Sequence, residues 1–255
     1  MAPPRRLAGL LAAAGAAAAL GAATPTAPAE EPRPLGAVAT LGRSAEGRPI
    51  HVVRLGDRRS PRKVLVVGAI HGNEPAGKAV VRALRRRPAP RGVELWLIPD
   101  LNPDGAAAGT RQNGRGVDLN RNFPHRWRAQ GAPFSTYYSG PRPLSEPESR
   151  LAHRLISRLR PAVTVWYHQA LALVDLGSGA SPRAVGRYAS IARLPVRRLG
   201  FLPGVATRWQ NARAPGTSAF VVELPAGPLS AEATGRHVRA VRAVASPPPG
   251  PRRRG

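Results

Sequence analysis

Residues 64–77 read VLVVGAIHGNEPAG. An apolar run rich in β-branched residues leads into His71-Gly72-Asn73-Glu74 and then, through Pro75, into a segment whose apolar positions recur as Val80, Val81 and Leu84. β-Branched residues favour a strand and three-to-four-residue spacing favours a helix with one buried face, so the stretch predicts a strand, a tight corner and a helix. Imidazole nitrogen and carboxylate oxygen are both ligands that zinc accepts, and a corner can aim the two at one point while Gly72 lets the backbone turn. The pair alone leaves two readings open. One is a metal corner; the other is an ordinary turn with a hydrogen-bonded His and a Glu favoured at the helix N-terminus.

Outward from this stretch, strand-like and helix-like segments alternate. Residues 36–41 and 49–55 read as a hairpin at one edge of a sheet, and residues 93–98 follow the first helix as a buried strand, which implies parallel pairing with a right-handed crossover. Residues 99–124 form a long polar segment, of the kind that is functional when it occurs inside a compact domain. Ser145 and Glu148 fit a capping box ahead of the stripe Leu151, Leu155, Ile156 and Leu159, so Glu146 and Glu148 read as helix-terminus residues. A strand over 162–167 ends in His168, and a helix lies near 182–192. A Pro/Gly-bearing loop over 203–216 leads into a strand over 218–222 that ends in Glu223-Leu224-Pro225, and a helix over 230–245 closes the domain. The pattern predicts an α/β fold: a single domain with a mixed, mostly parallel central sheet and helices on both faces. His71, Glu74, His168 and Glu223 then all follow strand ends on the edge where open α/β sheets bind ligands. Three of them, His71, Glu74 and His168, make a zinc set with a fourth position left for water, as in a catalytic rather than a structural site. His51, His125, His153 and His237 fall in a hairpin, a loop and helix faces and read as surface or ordinary polar residues.

With 255 residues, 42% of them hydrophobic, the chain can build one proper core. It has no cysteine, so any metal must be held by His, Asp or Glu and export would need no oxidative folding. Residues 1–29 carry Arg5-Arg6, an Ala-rich apolar run and Ala27-Pro28-Ala29, the order of parts in a secretory signal peptide. That places the catalytic domain at residues 30–245, an extracytoplasmic protein with no stable membrane span after cleavage, and leaves 246–255 (SPPPGPRRRG) as a basic Pro/Arg tail expected to be disordered. Loss of the two leader arginines takes the formal charge from +25 to +23. These charges are almost all scattered Arg without a basic helix or an aromatic-interleaved stripe, so they argue against a specific nucleic-acid groove and for attraction to anionic cell-wall polymers.

The ordered motifs His71-Gly-Asn-Glu74, Asn102-Pro-Asp-Gly105, Arg111, Asp118-Leu-Asn-Arg121-Asn122-Phe-Pro124, His168 and Glu223 resemble the zinc metallocarboxypeptidase family over roughly residues 36–227. The resemblance implies a hydrolase with one Zn²⁺ per chain on His71, Glu74 and His168. Glu223 is then the general base, Arg111 stabilises the oxyanion, Asn120 and Arg121 hold a substrate's terminal carboxylate, and Asp118 orients His71. Digestive members carry a mobile tyrosine in the loop before the base. Here residues 189–222 hold no tyrosine, only Trp209 among the large polar aromatics. Together with the compact length, this is similar to the murein peptide amidase branch, which cuts the γ-D-glutamyl–diaminopimelate bond. Diaminopimelate carries a carboxylate and an amine at its far end, so the pocket floor is expected to carry charge, and Arg208 is placed against that distal carboxylate. The expected partner is a peptide or muropeptide, met by a monomer. Two other readings are an acyl-amino-acid deacylase of the succinylglutamate desuccinylase and aspartoacylase type, which shares a His-Gly-x-Glu corner, and a wall-binding pseudoenzyme that keeps the fold without the chemistry. Retention of Glu223 and Arg111 speaks against the second.

Overall fold

The computed structural model describes residues 36–246; the leader and all but the first residue of the basic tail lie outside the described residues. The first hairpin forms as expected from β1 (Ala37–Arg43) and β2 (Pro49–Gly56). There follow β3 (Lys63–Val67), α1 (Ala76–Arg85) and β4 (Glu94–Ile98). A short helix, α2 (Pro103–Ala108), and a single 3₁₀ turn over Leu119–Arg121 break up the long polar segment. The second half runs α3 (Pro147–Leu159), β5 (Val163–Gln169), β6 (Leu173–Asp175), α4 (Pro182–Ala192), β7 (Val196–Arg197), α5 (Ala206–Arg213), β8 (Ser218–Leu224) and α6 (Ala231–Ala245).

The eight strands make one sheet in the order β1-β2-β4-β3-β5-β8-β6-β7. β3 pairs in parallel with both β4 and β5, and β5 in parallel with β8. Antiparallel pairing is confined to β1–β2, β2–β4 and β6–β8. The central strands β3, β5 and β8 are buried at nearly every position because both faces are covered. Val64, Val66, Val163, Val165, Tyr167, Phe220 and Val222 point to one face, where they pack with α1, α4 and α6. Leu65, Val67, Trp166 and Val221 point to the other, where α3 and α5 lie. The chain leaves β3 through α1 to reach β4 on one side, then returns to place β5 on the other. The crevice between the carboxyl ends of β3 and β5 is therefore the point where the sheet reverses direction, the place such sheets hold ligands.

Three expectations need correction. The segment over 203–216 is not a loop throughout, since α5 occupies its middle. Strands β6 and β7, only three and two residues long, were not foreseen. The capping box does not form. Pro147 sits in the first helical turn, Glu146 occupies the N-cap without a side-chain cap bond, and Ser145 Oγ donates to Glu146 Oε1 at 2.7 Å. Glu148 instead accepts from the Ala45 N–H at 2.8 Å and from Asn113 Nδ2 at 3.2 Å, so both acids are buried anchors for neighbouring loops.

Candidate metal centre and active-site pocket

The corner after β3 is held by a backbone-to-backbone contact. A Cβ on Gly72 would lie 1.9 Å from the Gly105 carbonyl carbon, and one on Gly105 would lie 2.3 Å from the Gln112 oxygen, so neither position has room for a side chain. This explains the spacing of the Asn102-Pro-Asp-Gly105 motif. Asn102 caps α2 by accepting from the Gly105 N–H at 2.9 Å, and Pro103 begins the helix. The Asp104 carboxylate takes Ser44 Oγ at 2.6 Å and the Glu46 N–H at 3.0 Å, tying the hairpin loop down. The motif supports the corner and carries no chemistry of its own.

His71, Glu74 and His168 come together, their ligand atoms all within 4.8 Å of one another and the side chains buried. His71 Nδ1 lies 2.9 Å from Glu74 Oε1, and His168 Nδ1 lies 2.9 Å from Glu74 Oε2 and 3.1 Å from His71 Nδ1. On its other side His71 Nε2 lies 2.9 Å from Asp118 Oδ1. A ring hydrogen at Nε2 would leave the Nδ1 lone pair facing the cluster, and the contact puts Asp118 where the family resemblance implies a residue that orients this ring. Burial opposes ionisation of Asp118, but His71, Arg111 and Arg121 prevail and hold its carboxyl well below the usual range. Glu74 behaves likewise, burial being overcome by its hydrogen bonds to His168 and His71. Two ring nitrogens and a carboxylate that converge in a buried place can hold a cation between them, and two imidazoles with one carboxylate are a donor set that suits zinc.

The second half of the site comes from β5 and β8, where His168 and Glu223 lie side by side in register. Glu223 is 9% exposed and its Oε2 is buried with no hydrogen-bond partner. Burial pushes this carboxyl up, with His168 opposing and Glu74 reinforcing the shift. Arg111 donates from Nη1 to Glu74 Oε1 at 2.8 Å and from Nε to Asp118 Oδ2 at 3.1 Å, which fixes its guanidinium beside the cluster. Asn120 accepts the Ala206 N–H on Oδ1 at 3.0 Å, leaving its Nδ2 3.4 Å from His168 Nε2. Arg121 is 3% exposed, donates to the Asn120 carbonyl at 2.7 Å, and keeps a buried Nε without a partner.

Glu74, His168, Glu223, Arg111, Asn120, Arg121 and Arg208 all line one cavity of 450 Å³. The predicted site residues are thus brought to one place, His71 and Asp118 lying behind the wall. Trp209 is turned away; it is buried in α5 with its ring 5.5 Å from that of Phe123. Sequence reasoning missed Tyr137, whose ring lies 4.8 Å from the Arg121 guanidinium on the cavity wall. Gln169 was also missed: its Oε1 accepts the Ala76 N–H at 2.9 Å and its Nε2 donates to the Pro225 and Gly227 carbonyls at 2.9 Å, clasping the ends of three elements. Neither stands in a motif; the only signal for Gln169 is that it follows a ligand.

A model of the family described as zinc carboxypeptidase matches residues 29–181. The chain belongs to that family. Among curated relatives, murein peptide amidase A of Escherichia coli (strain K12) is 31% identical over 145 residues, covering 52% of this chain and 60% of its own length. Carboxypeptidase A6 of Homo sapiens is 31% identical over 157 residues, 50% of this chain and 36% of that one. The chain therefore spans less than two-thirds of these relatives. Of solved structures, murein-tripeptide amidase MpaA from Escherichia coli O157 aligns with a TM-score of 0.70 at 26% identity over 89% of this chain and 99% of that chain. Carboxypeptidase A from Helicoverpa armigera aligns at 0.70 with 20% identity over 82% of this chain and 68% of that chain, a likeness of fold. The zinc carboxypeptidase match ends before Glu223, so the place of that residue rests on its register beside His168.

Proposed function

We propose that this zinc carboxypeptidase family member is an exported hydrolase that cleaves an amide bond next to a free carboxylate in cell-wall peptides, of the γ-D-glutamyl–diaminopimelate kind. One observation carries the reading. A buried carboxylate with an unpartnered oxygen, Glu223, and a buried guanidinium with an unpartnered nitrogen, Arg121, face one cavity beside the His71–Glu74–His168 cluster. The names of the murein peptide amidase relatives point to the same class of substrate.

Zinc, when bound by His71, Glu74 and His168, supplies polarisation of the scissile carbonyl and a more acidic attacking water. The chain's own residues do the rest. Glu223 takes the water's proton on its carboxylate and can return it to the leaving nitrogen. Arg111, held in place by Glu74 and Asp118, sets a positive charge beside the carbonyl oxygen as negative charge develops there. Arg121 and Asn120 hold the leaving residue's carboxylate, for which a planar guanidinium is suited. The basic surface left by a formal charge of +23 after loss of Arg5 and Arg6 from the +25 of the full sequence favours residence on anionic wall polymers.

The test is mass spectrometry of defined muropeptides and ordinary C-terminal peptides mixed in one incubation with the zinc-loaded protein. Release of diaminopimelate or diaminopimelyl peptides is expected, with amidation of the terminal carboxylate lowering kcat/KM by about 100-fold or more. Release of ordinary C-terminal residues alone would overturn the murein assignment, and release of acyl groups from acyl-amino acids alone would favour the deacylase.

A further inference from the structure

The far wall of the same cavity holds a second buried acid that no motif marks. Asp175, the last residue of β6, is 6% exposed and lines the cavity. Among the described residues it has no ion-pair partner, although Glu74, Glu94, Asp104 and Asp118, buried likewise, each have at least one basic partner. Glu148 and Glu223 are also buried without an ion pair, but Glu148 is closed off by neutral donors, whereas Asp175, like Glu223, lines the cavity, where a cation can reach it.

Arg208 lines the same wall from α5. Its guanidinium lies 4.9 Å from the Phe201 ring and makes no ion pair among the described residues. Leu199 holds both groups: its N–H donates to Asp175 Oδ1 at 2.9 Å, and its carbonyl, with that of Gly200 at 3.0 Å, accepts from Arg208 Nη2. A carboxylate and a guanidinium are thus kept on either side of one residue without pairing with each other. Burial pushes the Asp175 carboxyl up, with the Leu199 N–H, Arg208 and Arg198 opposing, and an incoming ammonium would complete what the wall leaves undone.

We infer that Asp175 and Arg208 together form a subsite for a side chain that ends in an amino-acid zwitterion, Asp175 receiving the ammonium and Arg208 the carboxylate. This rests on the proposed function, and it adds to the sequence-based placement of Arg208 a residue, Asp175, that sets the requirement for an amine. A lysine end satisfies only Asp175 and leaves the half-buried Arg208 without a carboxylate, and a 2-aminopimelate end satisfies only Arg208 and leaves the buried Asp175 without an ammonium.

The experiment uses three tripeptides that differ in the last residue, meso-diaminopimelate, lysine or 2-aminopimelate, with the zinc-loaded wild type, Asp175→Asn and Arg208→Ala. The asparagine keeps an oxygen for the Leu199 N–H. The wild type is expected to favour the diaminopimelate substrate by about 10-fold or more in kcat/KM over each of the others. Asp175→Asn should lower kcat/KM by about 10-fold or more for the two amine-bearing substrates and leave 2-aminopimelate within about twofold. Arg208→Ala should spare lysine and lower the other two. Calorimetric binding of the three free amino acids gives the same comparison without turnover. The binding pattern with no hydrolysis would keep the subsite and remove the hydrolase. Equal losses on all three ligands in Asp175→Asn, or no discrimination by the wild type in either assay, would overturn the subsite whatever the catalytic result.

Discussion

At the scale of single residues, Glu223 is the sharpest test. Its carboxylate can serve as a base only if it can take a proton, and an amide of the same shape cannot. Glu223→Gln should lower kcat by about 10³-fold, within the range typical of general acid–base groups, with KM and bound zinc unchanged. A parallel fall in zinc content would mean that Glu223 holds the metal instead. The residues of the centre were legible because their chemistry is tied to position. His71 and Glu74 follow an apolar run, His168 and Glu223 end two others, and Asp118 sits in a polar motif. Asp175 was not legible, since a single acid that ends a three-residue strand differs in no local way from one in a turn. Only folding reveals that it is buried, unpaired and on the cavity wall.

At the scale of elements, burial sets the ionisation of a group remote from the site. On α6, His237 is 2% exposed, against the expectation of a surface or ordinary polar residue. Its Nδ1 lies 2.8 Å from Tyr188 Oη on α4, which lies 2.7 Å from Tyr167 Oη on β5. Burial, with Arg236 assisting, lowers the His237 pKa to about 4. Below pH ~6.5 the unfolded chain gains a proton that the folded chain refuses until about pH 4, so stability is lost as pH falls through this window. The cost is on the order of 3 kcal/mol at the acid end. Urea unfolding of wild type and His237→Gln at pH 7 and pH 4 should show the difference moving toward the variant by about 2–3 kcal/mol.

The helices show where sequence periodicity suffices. α4 was legible at both ends because Ser181 caps it, Pro182 starts it and Val185, Tyr188, Ala189 and Ala192 mark a buried face. α5 was not, because it is secured by polar residues. Gln210 Nε2 donates to Thr164 Oγ1 at 2.8 Å, and Asn211 exchanges bonds with both backbone groups of Ala219 at 2.8 and 2.9 Å. Hydrogen bonds to a distant strand leave no apolar period to read. The capping box failed for a related reason, since Glu148 is claimed by Asn113 and the hairpin loop rather than by its own helix.

At the scale of the whole molecule, the centre links elements that only the folded sheet brings together, so metal should bind the native chain in preference to the unfolded one. Free zinc at about 100 times its Kd would then add ~2.7 kcal/mol. Chelation should lower Tm by roughly 5–10 °C for a domain of this size. The double variant His71→Ala/His168→Ala should show no response to chelator, and an equal response would place the metal elsewhere. The two histidines are 97 residues apart in the chain, and Glu223 comes later still. Synthesis therefore delivers the corner first, the second imidazole much later and the proton acceptor last. On the proposed function, a chain made or threaded from its N-terminus gains its proton acceptor, and with it amide hydrolysis, only once β8 has closed against β5.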